Sequence, residues 1–205
     1  MGWWTDQAVP RIAHHALNTG PVHKMRAEVC AGLSGEVVEV GFGSGLNIDH
    51  YPLAVKSVDG IDPSGVGWAM ASDRVEASPV LIRRAGLDGQ VIESPDESYD
   101  SALSTFSLCT IPDVSAALHE VRRVLRPGGR FHFLEHGLSP SPGAAKWQTR
   151  LTPLQRRIAG GCRLDRPIDL IIEASGFDIV ELRTENMPGP GGALVHVFLG
   201  SARAG

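Results

Sequence analysis

The segment Val38-Glu39-Val40-Gly41-Phe42-Gly43-Ser44-Gly45-Leu46-Asn47 constrains the fold most, because a β-branched apolar run passes directly into a loop with glycine at every second position. A run such as Glu36 to Val40 reads as a parallel strand buried on both faces. Glycine then lets the backbone turn sharply and approach a ligand, as happens past strand C-termini in open α/β sheets. Register separates the ligand classes. A dinucleotide fingerprint needs its third glycine where Leu46 stands, whereas the glycines here fall at 41, 43 and 45. Glu39 would repel a pyrophosphate and accept hydrogen bonds from a cationic ligand. No Walker A lysine follows the loop.

Strands and helices alternate along most of the chain. Val9 to Leu33 reads as two short helices broken at Asn18 to Pro21, and a short helix follows the glycine loop near Leu46 to Tyr51. Val55 to Asp62, Val80 to Arg84, Tyr99 to Cys109 and Arg130 to Glu135 read as strands, with Gly65 to Glu76 and Asp113 to Leu125 as helices. Pro127-Gly128-Gly129 stops the second of these and turns the chain into its strand. The tail departs from this rhythm. Residues 143 to 160 make a helical insertion, with a second helix expected to start at the capping-box pattern Thr152-Pro153-Leu154-Gln155. A helix over Arg166 to Ser175 and strands over Asp178 to Asn186 and Ala193 to Leu199 follow. Met187 to Gly192 is too short for a parallel crossover, so those strands should pair as an antiparallel edge hairpin. The expectation is an α/β, Rossmann-like, doubly wound seven-stranded sheet, mostly parallel with an antiparallel last strand. Residues 1–205 then form one domain, with 1–35 as a helical lead-in and 143–166 as a helical lid.

Composition enters by exclusion. A net charge of −4 argues against a protein that holds nucleic acid by charge. Cys30, Cys109 and Cys162 have neither CxxC nor zinc-ligand spacing, so they read as reduced thiols in a cytoplasmic compartment, Cys109 and Cys162 as buried small residues rather than nucleophiles, with no metal site expected. No secretory signal and no run of ~18 apolar residues is seen.

Through Glu39-Val-Gly41-Phe-Gly43-Ser-Gly45, Asp62 at the end of the second strand, and Val124-Leu125-Arg126-Pro127-Gly128-Gly129, the chain resembles the class I S-adenosylmethionine-dependent methyltransferases over roughly residues 36 to 200. The resemblance implies S-adenosylmethionine as cofactor. Gly41, Gly43 and Gly45 would face its methionine part, with Asn47 next to them, and Glu39 would support that loop or the ammonium. Asp62 would hold the ribose, Pro63 and Ser64 would flank the adenine, and Gly86 and Leu87 would lie in the adenine loop, the usual acid being displaced to Asp88. Phe106 and Ser107 would border the sulfonium. Read alone, Asp62 is equally a helix cap before Pro63.

Methyl transfer is an in-line displacement, so alignment and exclusion of water matter most, and a base only if the nucleophile arrives protonated. His136 is the expected base or orienting residue, with a loop-holding histidine as the plainer reading. The motifs of amino-methylating and cytosine-C5 enzymes are absent, so a small or lipophilic acceptor is expected, its nucleophilic atom being O, S, N or C. Leu108-Cys109, Leu134-Glu135-His136-Gly137, Trp147-Gln148 and Gly161-Cys162-Arg163-Leu164-Asp165-Arg166 resemble the group that includes alkyl-thiol methyltransferases and relatives of quinone and phospholipid methyltransferases. Residues 146–166 carry six basic residues against one acid, with Trp147, Leu151, Leu154 and Ile158 on one helical face. One reading is a lid with that face packed over the acceptor, and the sharper one is an interfacial helix on anionic lipid. A rival function is a Rossmann-like cofactor-binding or regulatory protein without turnover, and a third is a dehydrogenase, disfavoured by Leu46.

Overall fold

The β-branched run after Gly35 becomes a strand near the middle of a seven-stranded sheet in the computed structural model, which describes residues 2–187, 192 and 195–204. That strand, β1 (Gly35–Val40), pairs in parallel with β2 (Val55–Ile61) on one side and β4 (Tyr99–Thr105) on the other. Outward from β2 lies β3 (Leu81–Gly86), and outward from β4 lies β5 (Leu125–Gly137). The chain order of strands therefore reverses between β1 and β4, which is where open α/β sheets leave a crevice for ligands. At the far edge, β7 (His196–Ala204) runs antiparallel between β5 and β6 (Phe177–Asn186). The expected hairpin is present, although Ala193 and Leu194, expected to begin its second strand, lie outside the described residues, as do residues 188–191 of its connection.

Alternate residues of each strand feed two cores, as a sheet covered on both faces requires. Val38, Ala102, Phe131 and Phe133 meet α4 (Val114–Val124) and α6 (Ile168–Ala174), while Val37, Leu103 and Leu134 meet α2 (Gly20–Cys30). Phe131 and Phe133 are fully buried, each contributing about 1.5–3 kcal/mol of transfer free energy. The lead-in also contains a π-helical turn (Trp4–Ala8) and α1 (Val9–Leu17).

Four boundaries differ from the sequence expectation, each for a local reason. The helix expected over Leu46 to Tyr51 is a single 3₁₀ turn, Ile48–His50, because Pro52 and the start of β2 at Val55 leave no room for more. β4 ends at Thr105 rather than Cys109, since Phe106 turns the chain with φ of 55°. β5 begins already at Leu125, paired with Tyr99, so Pro127-Gly128-Gly129 lies inside the strand at a register shift. The insertion is one helix, α5 (Pro142–Ile158), running through Pro153. Thr152 does not cap a new helix: its hydroxyl donates to the Gln148 carbonyl at 2.9 Å, one turn back.

His132 on β5 is buried against Gly32, where a Cβ would come within 2.5 Å of its ring. Burial, aided by nearby Arg130, pushes its pKa down to about 4. The unfolded chain therefore takes up a proton through the usual histidine range while the native state does not, and stability falls as pH drops from there toward 4. In His132→Leu that contribution vanishes and the other histidines cancel in the difference. Urea unfolding of the two proteins should show the parent losing about 2 kcal/mol more than the variant between about pH 7 and about pH 5. Equal losses would contradict the buried neutral histidine.

Candidate active site

All three glycines after β1 adopt positive φ: 80° at Gly41, 56° at Gly43 and 70° at Gly45. Their surroundings differ. A Cβ on Gly41 would lie 1.7 Å from Ser107 Oγ, and one on Gly45 would lie 2.7 Å from Ile48 Cδ1. A Cβ on Gly43 would meet nothing nearer than a backbone oxygen at 3.9 Å. Gly41 and Gly45 are thus demanded by packing, while Gly43 has room for a Cβ at ordinary contact distance. On the opposite side, α3 (Gly65–Ala77) sits directly against the loop, since a Cβ on Gly67 would strike the Gly43 carbonyl at 2.8 Å.

Asp62 follows β2 and shapes both loops. Its carboxylate accepts from Gly43 N at 2.8 Å and from Ser64 N at 2.7 Å. Burial raises its pKa, opposed by those two N–H groups. The helix cap is Ser64 itself, whose hydroxyl accepts from Gly67 N at 3.0 Å. Pro63 lies between them, and Arg84 binds the Asp62 carbonyl at 3.0 Å. Across the strand ends, the Gly86 carbonyl accepts from Asp62 N, Leu87 is exposed, and Asp88 turns back onto Gln90. These bonds tie together the loops that follow β1, β2 and β3.

Beneath the loop lies a closed polar network. Glu39 is fully buried and accepts from Asn47 Nδ2 at 2.9 Å and from the Tyr51 hydroxyl. Asn47 in turn accepts from Arg26 at 2.7 Å, and both Asn47 and Arg26 donate to Thr105 Oγ1. Burial pushes Glu39 up to about 7 against the pull of Tyr51, Asn47 and Arg26. Of the two roles expected for Glu39, the contacts match support of the loop. Asn47 is likewise inside this network.

The turn after β4 is organised by a buried carboxyl group. Glu135, fully buried on β5, accepts from Ser107 N, from Leu108 N at 3.0 Å and from Ser104 Oγ at 2.7 Å. Burial holds it up near 7. That scaffold keeps Phe106 in its left-handed conformation and directs the Ser107 hydroxyl to the carbonyls of Gly41 and Thr105. Phe106 also lies under Arg26, whose guanidinium carbon is 5.5 Å from the ring centre.

Beyond this turn, His136 is buried at the end of β5, with Nδ1 3.8 Å from Cys162 Sγ. Cys162 Sγ lies 3.6 Å from Cys109 Sγ. Hydrogen bonding with Cys109 and His136 makes Cys162 the more acidic thiol, and Cys109 is correspondingly pushed up. Backbone and side-chain bonds knit this floor together: Arg163 N donates to the Cys109 carbonyl, and Arg166 donates to those of Leu108 and Ile111. Gln148 anchors α5 by donating to the Gly137 carbonyl and accepting from Ser139 N. The lead-in closes the rim, with His14 on Ser44 at 2.8 Å and the Trp4 indole N–H on the Ile158 carbonyl at 2.9 Å.

The chain is similar to several known proteins. The methyltransferase domain family matches residues 38–133. The human thiol S-methyltransferase TMT1A is 32% identical over 166 residues, covering 77% of this chain and 67% of that protein. The chain belongs to the S-adenosylmethionine-dependent methyltransferases. Phosphatidylethanolamine N-methyltransferase of Cereibacter sphaeroides is 29% identical to this methyltransferase over 158 residues, 76% of this chain and 75% of that one. The chain spans about two thirds of the length of the thiol S-methyltransferases it matches. Among solved structures, the [4+2]-cyclase SpnF superposes with a TM-score of 0.66 at 20% identity, over 89% of this chain and 80% of that one, a likeness of fold alone.

In this methyltransferase Gly41, Gly43, Gly45, Asp62, Pro63, Ser64, Gly86, Phe106 and Ser107 all follow or end the parallel strands β1 to β4 at their C-terminal ends, with Leu87 exposed beside them. Arg26, Glu135 and Gln148 were not foreseen as site residues. Arg26 left a signal, since it falls within the buried helical stripe Val22, Met25, Val29 and Cys30 where a charge needs partners.

Proposed function

We propose that this chain transfers the methyl group of S-adenosylmethionine to a small, lipophilic acceptor, and that the residues gathered at the crevice hold that cofactor. The observation that carries this reading is Gly43, a left-handed glycine with no close packing partner for a Cβ, its N–H fixed by the same Asp62 carboxylate that the family resemblance assigns to the ribose. The bound cofactor supplies an electrophilic methyl group on a sulfonium. Gly41, Gly43 and Gly45 would line its methionine part over the Glu39 and Asn47 network, Pro63, Ser64, Gly86 and Leu87 its adenine side, and Phe106 and Ser107 the sulfonium. His136, with Nδ1 turned to Cys162, acts on this reading as an orienting residue. Incubation with methyl-labelled S-adenosylmethionine and a panel of thiols, quinols and phospholipid amines should leave label in an organic extract. Cofactor binding with no label in any acceptor would favour the binding protein without turnover.

The acceptor side also supports membrane contact. Of the two readings of the α5 stripe, a face packed inward and a face turned to lipid, the exposures favour the second: the helix buries Gln148 and Thr152 and leaves Trp147, Leu154 and Ile158 about half exposed, with Leu151 partly buried. The reason is that Gln148 and Thr152 satisfy buried carbonyls, which the apolar side chains cannot do. Trp3 and Trp4 extend the same exposed surface through the Trp4 bond to Ile158, and Lys146, Arg150, Arg156 and Arg157 surround it. An apolar stripe edged by basic residues suits the interface of an anionic bilayer, from which a lipophilic acceptor could enter. No helix among the described residues is long and apolar enough to cross a membrane. The three free cysteines suit a reducing cytoplasmic compartment. Changing Trp147, Leu154 and Ile158 together to Gln should weaken binding to anionic vesicles by about tenfold or more in a sedimentation assay. Unchanged binding would sink the interfacial reading.

A further inference from the structure

We propose that Cys109, His136 and Cys162 form a binding site for one soft divalent cation, with zinc the ion that suits the donors best. The three come from the turn after β4, the end of β5 and the loop after α5, and all are buried. Their donor atoms lie within 4.8 Å of one another. A tetrahedral centre with sulfur at ~2.3 Å and nitrogen at ~2.0 Å separates its ligands by ~3.8 Å between sulfurs and ~3.6 Å between sulfur and nitrogen. The separations here are 3.6 Å between the sulfurs and 3.8 Å from Cys162 Sγ to His136 Nδ1. Two of the three edges therefore already match such a centre, and the third, between Cys109 and His136, is within 4.8 Å.

Chemistry and surroundings agree with a soft ion. Two thiolates and a neutral imidazole balance a divalent charge, and thiolate donors select zinc over magnesium or calcium. The nearby carboxylate, Glu135, is occupied by Ser104, Ser107 and Leu108 and offers no competing hard site. The frame is rigid, because Arg163 N binds the Cys109 carbonyl at 2.9 Å and Leu138 N binds the Arg166 carbonyl at 2.7 Å. A disulfide would require the sulfurs to close to ~2.05 Å within that frame. Three protein ligands leave a fourth position for water or an exogenous thiolate. A bound ion would join the segment after α5 to the ends of β4 and β5 and so fix the floor of the acceptor side. The site stands whether or not the chain turns over a methyl donor.

The test uses the reduced full chain, loaded with zinc or cobalt and freed of excess ion on a weak chelating resin. One zinc per chain, a thiolate-to-cobalt charge-transfer band, and a thermal midpoint that rises with zinc concentration are expected. All three should be lost in C109S and C162S and kept in C30A, with circular dichroism checking that each variant is folded. A parent chain that retains no zinc and shows no thiolate band overturns the proposal even if the variants fail to fold. A band that survives C109S and C162S overturns it as well.

Discussion

Asp62→Ala should weaken S-adenosylmethionine binding at least about 100-fold while the chain remains folded. The carboxylate already accepts two backbone N–H bonds, from Gly43 and Ser64, and each of its oxygens keeps further acceptor capacity for a ribose hydroxyl. Hydrogen bonds to a charged acceptor are worth about 1.5–3 kcal/mol each, so losing two toward the ligand alone gives the stated factor. Loss of the Gly43 anchor loosens the loop and adds to it. Stability should suffer less, because burial already disfavours the charged form of Asp62 and its removal relieves that cost. Asp62→Asn should fall between, since its amide N–H₂ would face backbone donors. Titration calorimetry with denaturant unfolding separates the two effects, and a variant that binds within threefold of the parent would remove Asp62 from the site.

The glycines offer the second large effect, and it divides by position. Gly43→Ala should fold with a stability loss of about 1–2 kcal/mol, the cost of a left-handed alanine, yet lose measurable cofactor binding because its methyl fills space the ligand needs. Gly41→Ala should fail earlier. Its methyl would overlap Ser107 Oγ at 1.7 Å and Cβ at 2.3 Å, displacing the turn that Glu135 holds through three donors. A loss of about 3 kcal/mol or more, or an insoluble chain, is expected. The pair is read by urea unfolding and calorimetry together. Gly43→Ala that binds normally would show that the ligand does not lie against Gly43.

The succession of strands and helices and the glycine register were readable because they depend on local pattern: β-branched runs, glycine punctuation and an acid at the end of β2. The glycine loop's polarity was readable too, since Leu46 at the dinucleotide position is a one-residue fact. Contacts between distant segments left no such trace. Cys109, His136 and Cys162 have no ligand spacing along the chain and meet only because β4, β5 and the loop after α5 end side by side. Glu135 reads as one residue of a strand, and its service to the β4 turn depends on parallel pairing that brings Thr105 opposite Leu134. The α5 stripe was visible as a stripe, but periodicity alone does not say which face is covered. Gln148 decided that, by binding the Gly137 carbonyl and the Ser139 amide. The missing helix after β1 follows from crossover length, which Pro52 and the next strand restrict.

Equilibrium binding to the unmodified chain, with S-adenosylmethionine and NADH titrated in parallel, tests most directly whether the loop at 41, 43 and 45 is built for a sulfonium cofactor. One S-adenosylmethionine should bind per chain with measurable heat and a raised thermal midpoint, and NADH should not compete. Binding of NADH with no response to S-adenosylmethionine would contradict it.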